Sequence, residues 1–140
     1  NVPLIRALDF VLKRILHHGL TEHFKHIARR ARYTRAMVEK MGLKVYSASP
    51  SESVTAVRLP SFIDGVKFRN DLEKHYHLTV MGGQDQLKGR IIRLGHMGYI
   101  TDQDLHETTL RLTRAFNENN YQINLNEIES YSKTLLEGQV

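Results

Sequence analysis

The sequence has no cysteine and no long apolar run. Without cysteine, the chain can form no disulfide, no thiolate metal site and no cysteine nucleophile. A membrane-spanning helix needs about 20 consecutive apolar residues, and no run approaches that length. No charged head followed by an apolar core resembles a signal peptide. These absences predict a cytoplasmic protein without a membrane partner.

The common metal and catalytic signatures are also missing. Eight histidines are present, and His23 and His26 lie one helical turn apart, but the HExxH zinc signature needs two histidines four residues apart with a glutamate directly after the first. A Walker A loop fails as well, because Lys88 precedes Gly89 instead of following it. No spacing resembles a nucleophile elbow or a Ser-His-Asp triad. We therefore predict no metal site and no catalytic residue in this chain.

Positive charge is concentrated in the first third of the sequence. The 140 residues, 41% of them hydrophobic, predict one globular domain with its own core. Residues 1–44 have a net charge of +7, whereas residues 45–140 have a net charge of −2. Such a basic segment could face nucleic acid, an acidic partner subunit or solvent. A solvated or subunit-facing helix fits better, because its arginines spread around the helix without interleaved aromatic residues: Arg29, Arg30, Arg32 and Arg35.

Two long helices are predicted at the start of the chain. The first has one broad apolar face and ends at Gly19. The second begins after Thr21 as its N-cap and ends at Met41, before Gly42. Its predicted buried residues are Phe24, Ile27, Ala28, Ala31, Val38 and Met41. The predicted apolar face of the first helix is Leu4, Ile5, Leu8, Val11, Leu12, Ile15 and Leu16, and we expect it to be uncovered in this chain alone.

Strands and helices are interleaved after residue 42. Alternating apolar residues predict strands over residues 43–47, 54–59, 78–81 and 90–97. Helices are predicted over residues 64–77, from Thr101 as N-cap to about residue 116, and over residues 126–136. The fold class is therefore α/β of the α+β type. It is a small, mostly antiparallel sheet of about four strands with helices on one face, preceded by long connecting helices.

One arginine interrupts an apolar strand. A loop containing Gly82, Gly83 and Gly89 leads into this strand, and Arg93 is at its middle. A guanidinium group keeps its charge inside a protein, and its planar fork of donors suits a carboxylate. Arg93 could hold the carboxylate of a small acid, pair with an internal aspartate or glutamate, or extend past the sheet edge into water.

Residues 81–100, MGGQDQLKGRIIRLGHMGYI, resemble the C-terminal signature of class V pyridoxal-phosphate aminotransferases, the alanine–glyoxylate and serine–pyruvate group. In that family a double glycine, a polar loop ending in Lys-Gly and a strand ending in Arg-Ile/Leu-Gly precede the last domain helix. The version with Gly95 and His96 is similar to microbial members, some of which are labelled soluble hydrogenase subunits. The resemblance spans nearly the whole chain and weakens after about Asn120.

The resemblance implies a division of the chain. Residues 1–42 are connecting helices from a missing large domain, and residues 43–140 are the C-terminal small domain of a fold type I enzyme. By the family pattern, Arg93 receives the substrate's α-carboxylate, and Gly82 and Gly83 form a loop near the site. The cofactor is pyridoxal 5'-phosphate, but its lysine lies in the large domain, so this chain contains no cofactor-binding residue and is not expected to be active alone. The family is also dimeric, which implies a homodimeric parent.

The resemblance implies transfer of an amino group between a small amino acid, such as alanine or serine, and a 2-oxo acid, such as glyoxylate or pyruvate. One alternative is a free-standing regulatory module that senses a carboxylate metabolite through Arg93. Another is a basic nucleic-acid-binding domain that uses Arg29, Arg30 and Arg32, although our reading of the helix predicts no nucleic-acid partner.

Overall fold

The structure is a computed structural model that describes residues 1–138. Within these residues, helices and strands follow one another in the predicted order. The predicted small domain over residues 43–140 ends with two residues, 139 and 140, that lie outside the described residues. The elements are α1 (Val2–His18), α2 (Leu20–Lys40), β1 (Lys44–Val45), β2 (Val54–Arg58), α3 (Gly65–Tyr76), β3 (Met81–Gly82), a 3₁₀ turn (Asp85–Leu87), β4 (Ile91–Gly95), α4 (Asp102–Glu118) and α5 (Leu125–Glu137).

The four strands form one antiparallel sheet in the order β1-β2-β4-β3. Alternate residues of a strand point to opposite faces, and Val57, Ile92 and Leu94 point into the core. There they join Phe68 of α3 and Phe116 of α4, whose rings lie 4.6 Å apart. Helices therefore pack on this face of the sheet, which confirms the predicted α+β class.

The third strand differs from its prediction over residues 78–81. It begins only at Met81 and ends at Gly82. The preceding residues end α3 instead, since His77 adopts the left-handed conformation and the Leu78 amide donates to the Leu72 carbonyl. An apolar alternating pattern cannot distinguish a strand from a helix ending of this kind.

The helix ends confirm some predicted signals and correct one. Gly19 ends α1 with φ 88°, and Thr101 forms a full capping box with Asp104 at the start of α4. Thr21, however, is not an N-cap, because α2 already begins at Leu20 and Gly19 occupies the cap position without a side-chain bond.

Helix α1 lies on the surface with none of its residues buried. Leu4 and Leu16 are 66% and 68% exposed, so the uncovered apolar face expected of this helix is present. Phe24 of α2 is 61% exposed and Ala28 is only half-buried, which contradicts their predicted places in the core. Both precede Tyr33, the first residue of α2 in the hydrophobic core cluster. No helix within residues 1–138 combines the length and hydrophobicity that crossing a membrane requires.

A buried polar junction joins three helices. The Tyr33 hydroxyl of α2 lies 2.5 Å from Ser132 Oγ of α5 and 3.2 Å from Thr109 Oγ1 of α4. His106 Nδ1 lies 2.7 Å from the same Ser132 oxygen. Because all three hydroxyl groups are buried, each needs a partner to offset its lost hydration, and each has one.

We expect Tyr33→Phe to lower the free energy of unfolding by about 1–2 kcal/mol, because it removes the hydroxyl that Ser132 and Thr109 share. Urea unfolding of the two proteins measures the difference. Tyr99→Phe is the matched control, since Tyr99 is 77% exposed and its substitution should change stability by less than about 0.5 kcal/mol. Equal effects of the two substitutions would contradict a stabilising junction.

Candidate functional site

Arg93 occupies the centre of β4, on the face opposite the core. Its neighbours Ile92 and Leu94 are buried in the core, whereas Arg93 is half-buried. It is paired with Ala56 of β2 and Met81 of β3 across the sheet. The predicted alternation along this strand is therefore confirmed. On the β2 side, the residue beside Arg93 is the small Ala56.

Arg93 reaches across β3 to the free edge of the sheet. The Gly83 amide donates to the Ile91 carbonyl, so residue 83 is a hydrogen-bonded partner of β4. Because such pairs alternate along an antiparallel ladder, the peptide groups of Gly82 face away from β4. Arg93 Nε donates to the Gly82 carbonyl oxygen at 2.9 Å. This bond fixes the guanidinium group at the edge and leaves its two terminal nitrogens for other partners.

Among the described residues, no carboxylate lies within ion-pairing distance of Arg93. Of the alternatives weighed for this side chain, an internal ion pair is therefore wrong for residues 1–138. The side chain does extend to the sheet edge, where it is half-buried and held by a backbone carbonyl. A fixed guanidinium group with free terminal donors is suited to bidentate binding of a carboxylate.

The loop that supplies the Gly82 carbonyl is held by two tight contacts. A Cβ atom on Gly83 would lie 2.1 Å from the Leu87 carbonyl oxygen, and one on Gly65 would lie 2.2 Å from the Gly89 carbonyl oxygen. Both separations are far below van der Waals contact, so only glycine fits at either position. The first turn of α3 therefore packs directly against the loop that positions Arg93.

An open cleft of about 420 Å³ lies between this loop and the start of α3. Arg69 and Lys88 line it, together with Asp85. The sequence reasoning missed Arg69, although a signal was available. Arg69 is four residues after the buried Gly65 and three before the buried Leu72, so it interrupts the apolar stripe of α3, as Arg93 interrupts an apolar strand.

His96 lies just after β4 but not in the Arg93 site. It is buried, on the core side of the sheet, and its Nε2 lies 2.8 Å from Thr55 Oγ1. Burial, together with the positive charge of the nearby Arg35, lowers the pKa of His96 to about 4. A shared role with Arg93 is therefore not supported, in agreement with the opposite faces expected from strand alternation.

We expect His96 to make stability depend on pH. Its pKa is lower in the folded protein than the usual 6.5, so the unfolded state binds the proton more tightly and stability falls as pH decreases from about 6.5 to about 4. Between pH 7 and pH 5 the loss should be about 2 kcal/mol. His96→Gln should flatten this part of the pH profile of urea unfolding, and the exposed control His17→Gln should not. An unchanged profile in His96→Gln would contradict the assignment.

The basic residues of α2 contact other parts of the chain. Arg29 binds Asp102 with two hydrogen bonds of 2.6 and 2.9 Å, and this contact lowers the pKa of the Asp102 carboxyl group. Arg30 Nη1 donates to the carbonyl oxygens of His96 and Gly98. These arginines thus hold the segment between β4 and α4, which reduces the basic surface proposed for nucleic acid.

The described residues bring together neither a metal site nor a sheltered lysine. Residues 1–138 contain no cluster of three or more potential metal ligands. All eight lysines of the sequence fall within this range, and each is exposed. The cofactor that the family resemblance implies is bound through a lysine that attacks its aldehyde. Such a lysine must lose its proton, which requires burial or a neighbouring cation in a protected site. No lysine here has such surroundings.

Comparison with known proteins places this chain beside aminotransferases. No family model matches the sequence. An uncharacterized aminotransferase from Methanocaldococcus jannaschii is 32% identical over 138 residues, which are 97% of this chain and 36% of the relative. The small subunit of a soluble hydrogenase from Synechococcus is 34% identical over 106 residues, covering 74% of this chain and 27% of the relative. Other relatives are named as aspartate–glyoxylate and serine–glyoxylate aminotransferases.

The fold comparison gives the same result. The crystal structure of pyridoxamine–pyruvate aminotransferase from Mesorhizobium loti superposes with a TM-score of 0.86 and 26% identity, covering 95% of this chain and 35% of that one. The chain therefore spans about a third of the length of the proteins that it matches. The aminotransferase resemblance and the hydrogenase label seen among its members are both confirmed.

Proposed function

Because this chain belongs to the class V aminotransferase family and corresponds to a C-terminal part of its members, we propose that its parent protein transfers an amino group from a small amino acid to a 2-oxo acid such as glyoxylate or pyruvate. The main support for this proposal is the environment of Arg93. Its half-buried guanidinium group is fixed by the Gly82 carbonyl oxygen and has no carboxylate partner among residues 1–138. We assign it to the α-carboxylate of the substrate, which donor and acceptor share. One arginine can therefore serve both halves of the reaction.

The role of Arg93 in this proposal is to bind and orient. A carboxylate held by two parallel hydrogen bonds cannot rotate freely, so the Cα–H bond of the amino acid keeps one direction. The Nε bond to Gly82 fixes the guanidinium plane before the substrate arrives. A site that is already ordered loses less conformational entropy on binding. Gly82 contributes the carbonyl oxygen that holds Arg93, and Gly83 contributes the amide that pairs the loop with β4.

The residues of this chain alone do not fit pyridoxal phosphate, which the family resemblance names as the cofactor. Covalent attachment needs a sheltered lysine, and every lysine here is exposed. The proposal therefore assigns the cofactor and the proton transfer at Cα to an upstream large domain, with residues 1–42 as connecting helices and residues 43–140 as the small domain. This chain alone should be inactive. A cytoplasmic homodimer completes the proposal, and it offers a cover for the exposed apolar face of α1.

Two measurements on the native protein test this function. Intact mass should show a polypeptide roughly three times as long as this chain, as the covered share of the relatives indicates. A panel of amino donors with glyoxylate and pyruvate should then show transamination. A native polypeptide of only this length would favour the free-standing carboxylate-binding module, and a full-length protein without transamination of any donor would overturn the proposed reaction.

A further inference from the structure

The sulfur atoms of this chain all belong to its four methionines, because the sequence has no cysteine. Met37 and Met41 are buried in the core, whereas Met81 is 59% exposed and Met97 is 61% exposed. A thioether reacts with a dissolved oxidant only where the oxidant can reach it. In the described chain, Met81 and Met97 are therefore the methionines open to oxidation.

Met81 is the residue directly opposite Arg93 in the sheet. The two are paired between β3 and β4, and opposite residues of an antiparallel ladder point to the same face with Cβ atoms about 4.5–5.5 Å apart. Arg93 Nε donates to the carbonyl oxygen of Gly82, the residue after Met81, at 2.9 Å. This bond draws the guanidinium group over β3 and keeps it within reach of the Met81 side chain. Met97 lies beyond the end of β4.

We propose that Met81 is an oxidation site, and that its sulfoxide binds Arg93 and thereby weakens binding of the substrate carboxylate in the parent enzyme. This inference rests on the proposed function, in which Arg93 binds that carboxylate. The thioether of Met81 is only a weak hydrogen-bond acceptor, so it leaves the terminal nitrogens of Arg93 to the substrate. Oxidation makes the same side chain polar, and the sulfoxide oxygen accepts a hydrogen bond from the guanidinium group.

The oxidant in this step is a peroxide, and Met81 is the only residue that reacts. With hydrogen peroxide, the sulfur lone pair attacks one oxygen, so an S–O bond forms and the O–O bond breaks. The departing hydroxide takes the proton of the transferred hydroxyl group and leaves as water. Sulfur loses two electrons and the peroxide gains them. Methionine sulfoxide reductases reverse the change, so the effect on Arg93 is reversible.

The sulfoxide competes with the substrate and leaves the site intact. A neutral acceptor binds a guanidinium group less strongly than a carboxylate does, because the carboxylate is charged and forms two parallel bonds. A saturating substrate concentration therefore displaces the sulfoxide, so KM should rise while kcat is retained. Oxidative damage to the cofactor, or to a residue that acts on the reacting atoms, lowers kcat instead.

The test treats the full-length native protein with hydrogen peroxide and measures transamination before and after treatment. We expect the KM for the amino donor to rise about 3- to 10-fold, the value of one hydrogen bond that the substrate must displace. Peptide mass mapping should show one added oxygen at Met81. Met81→Leu removes the sulfur, so peroxide should leave the KM of this variant unchanged. Met97→Leu is the matched control and should respond as the unsubstituted protein does.

Two further measurements do not depend on the Met81→Leu variant. Methionine sulfoxide reductases for both sulfoxide epimers should return the KM of the treated protein to its original value. Met81→Gln places an acceptor oxygen near Arg93 without any oxidant. Its KM before treatment should therefore exceed that of the unsubstituted protein by about 3-fold or more.

The outcomes separate this inference from the proposed function. A rise in KM that Met81→Leu abolishes and the reductases reverse supports it. An equal rise in Met81→Leu, an oxidised Met81 with unchanged KM, or a Met81 that peroxide does not reach overturns the inference and leaves transamination intact. Absence of transamination with every donor in the untreated, unsubstituted protein overturns the proposed function, and the inference falls with it. Thermal unfolding shows whether each variant is folded, and the reductase treatment provides the comparison if Met81→Leu is not.

Discussion

Arg93→Ala in the full-length protein is expected to lower kcat/KM for transamination by about 100-fold or more. In the proposed function, the substitution removes a bidentate contact to the substrate carboxylate, and loss of one partner of a largely desolvated charge pair costs about 3–5 kcal/mol. Because Arg93 is only half-buried, the lower end of this range applies. Donor and acceptor both carry an α-carboxylate, so both half-reactions should be slowed, and single-turnover rates of each half-reaction measure this directly.

Two further variants make the Arg93 result specific. Arg93→Lys keeps the charge but can form neither the planar fork nor the same Nε bond to Gly82, so its kcat/KM should lie between the values for wild type and Arg93→Ala. Arg90→Ala removes an exposed arginine three residues earlier in the chain and should change the rate less than about twofold. If Arg93→Ala left transamination efficiency unchanged, the assignment of the α-carboxylate would be wrong.

Gly65→Ala should lower the free energy of unfolding by about 3 kcal/mol. The new Cβ atom would lie 2.2 Å from the Gly89 carbonyl oxygen and 2.7 Å from Leu59 Cδ1. The first of these contacts is to backbone, which cannot rotate away as a flexible side chain could. The loop and the first turn of α3 must therefore separate, and urea unfolding measures the cost.

Gly95→Ala is the matched control for Gly65→Ala. It adds the same methyl group to a strand residue that has no neighbouring atom within 4 Å of the new Cβ, so its effect on unfolding should be less than about 0.5 kcal/mol. Similar unfolding free energies for the two variants would show that the contact between α3 and the loop is not tight. If Gly65→Ala folds, its KM for the amino donor should rise, because a displaced loop moves the Gly82 carbonyl that orients Arg93.

Features that depend on periodicity could be predicted from the sequence. The alternation from Ile91 to Gly95 predicts that Arg93 points away from Ile92 and Leu94. The spacing of Leu105, Thr109, Leu112 and Phe116 predicts that they share one face of α4, and all four are buried. Both predictions need only the geometry of one element. The aminotransferase resemblance likewise depended on one continuous segment, residues 81–100.

Features that depend on contacts between elements could not be predicted. The Gly82 carbonyl became a partner of Arg93 only through the register of β3 against β4. Arg69 approaches the same glycine from α3, and nothing in the local sequence fixes that distance. Phe24 was misplaced because an amphipathic pattern shows which helix face is apolar but not what covers it.

The hydrogen bond from Arg93 to Gly82 also affects how the sheet meets other molecules. An edge strand offers unpaired peptide groups to which a foreign strand can add, and here the guanidinium group occupies one of these acceptors. The side chain assigned to the substrate thus also blocks intermolecular β-sheet extension at β3. Preparations of Arg93 variants should therefore be examined by light scattering for aggregates, since an inactive aggregate would imitate the loss of a ligand contact.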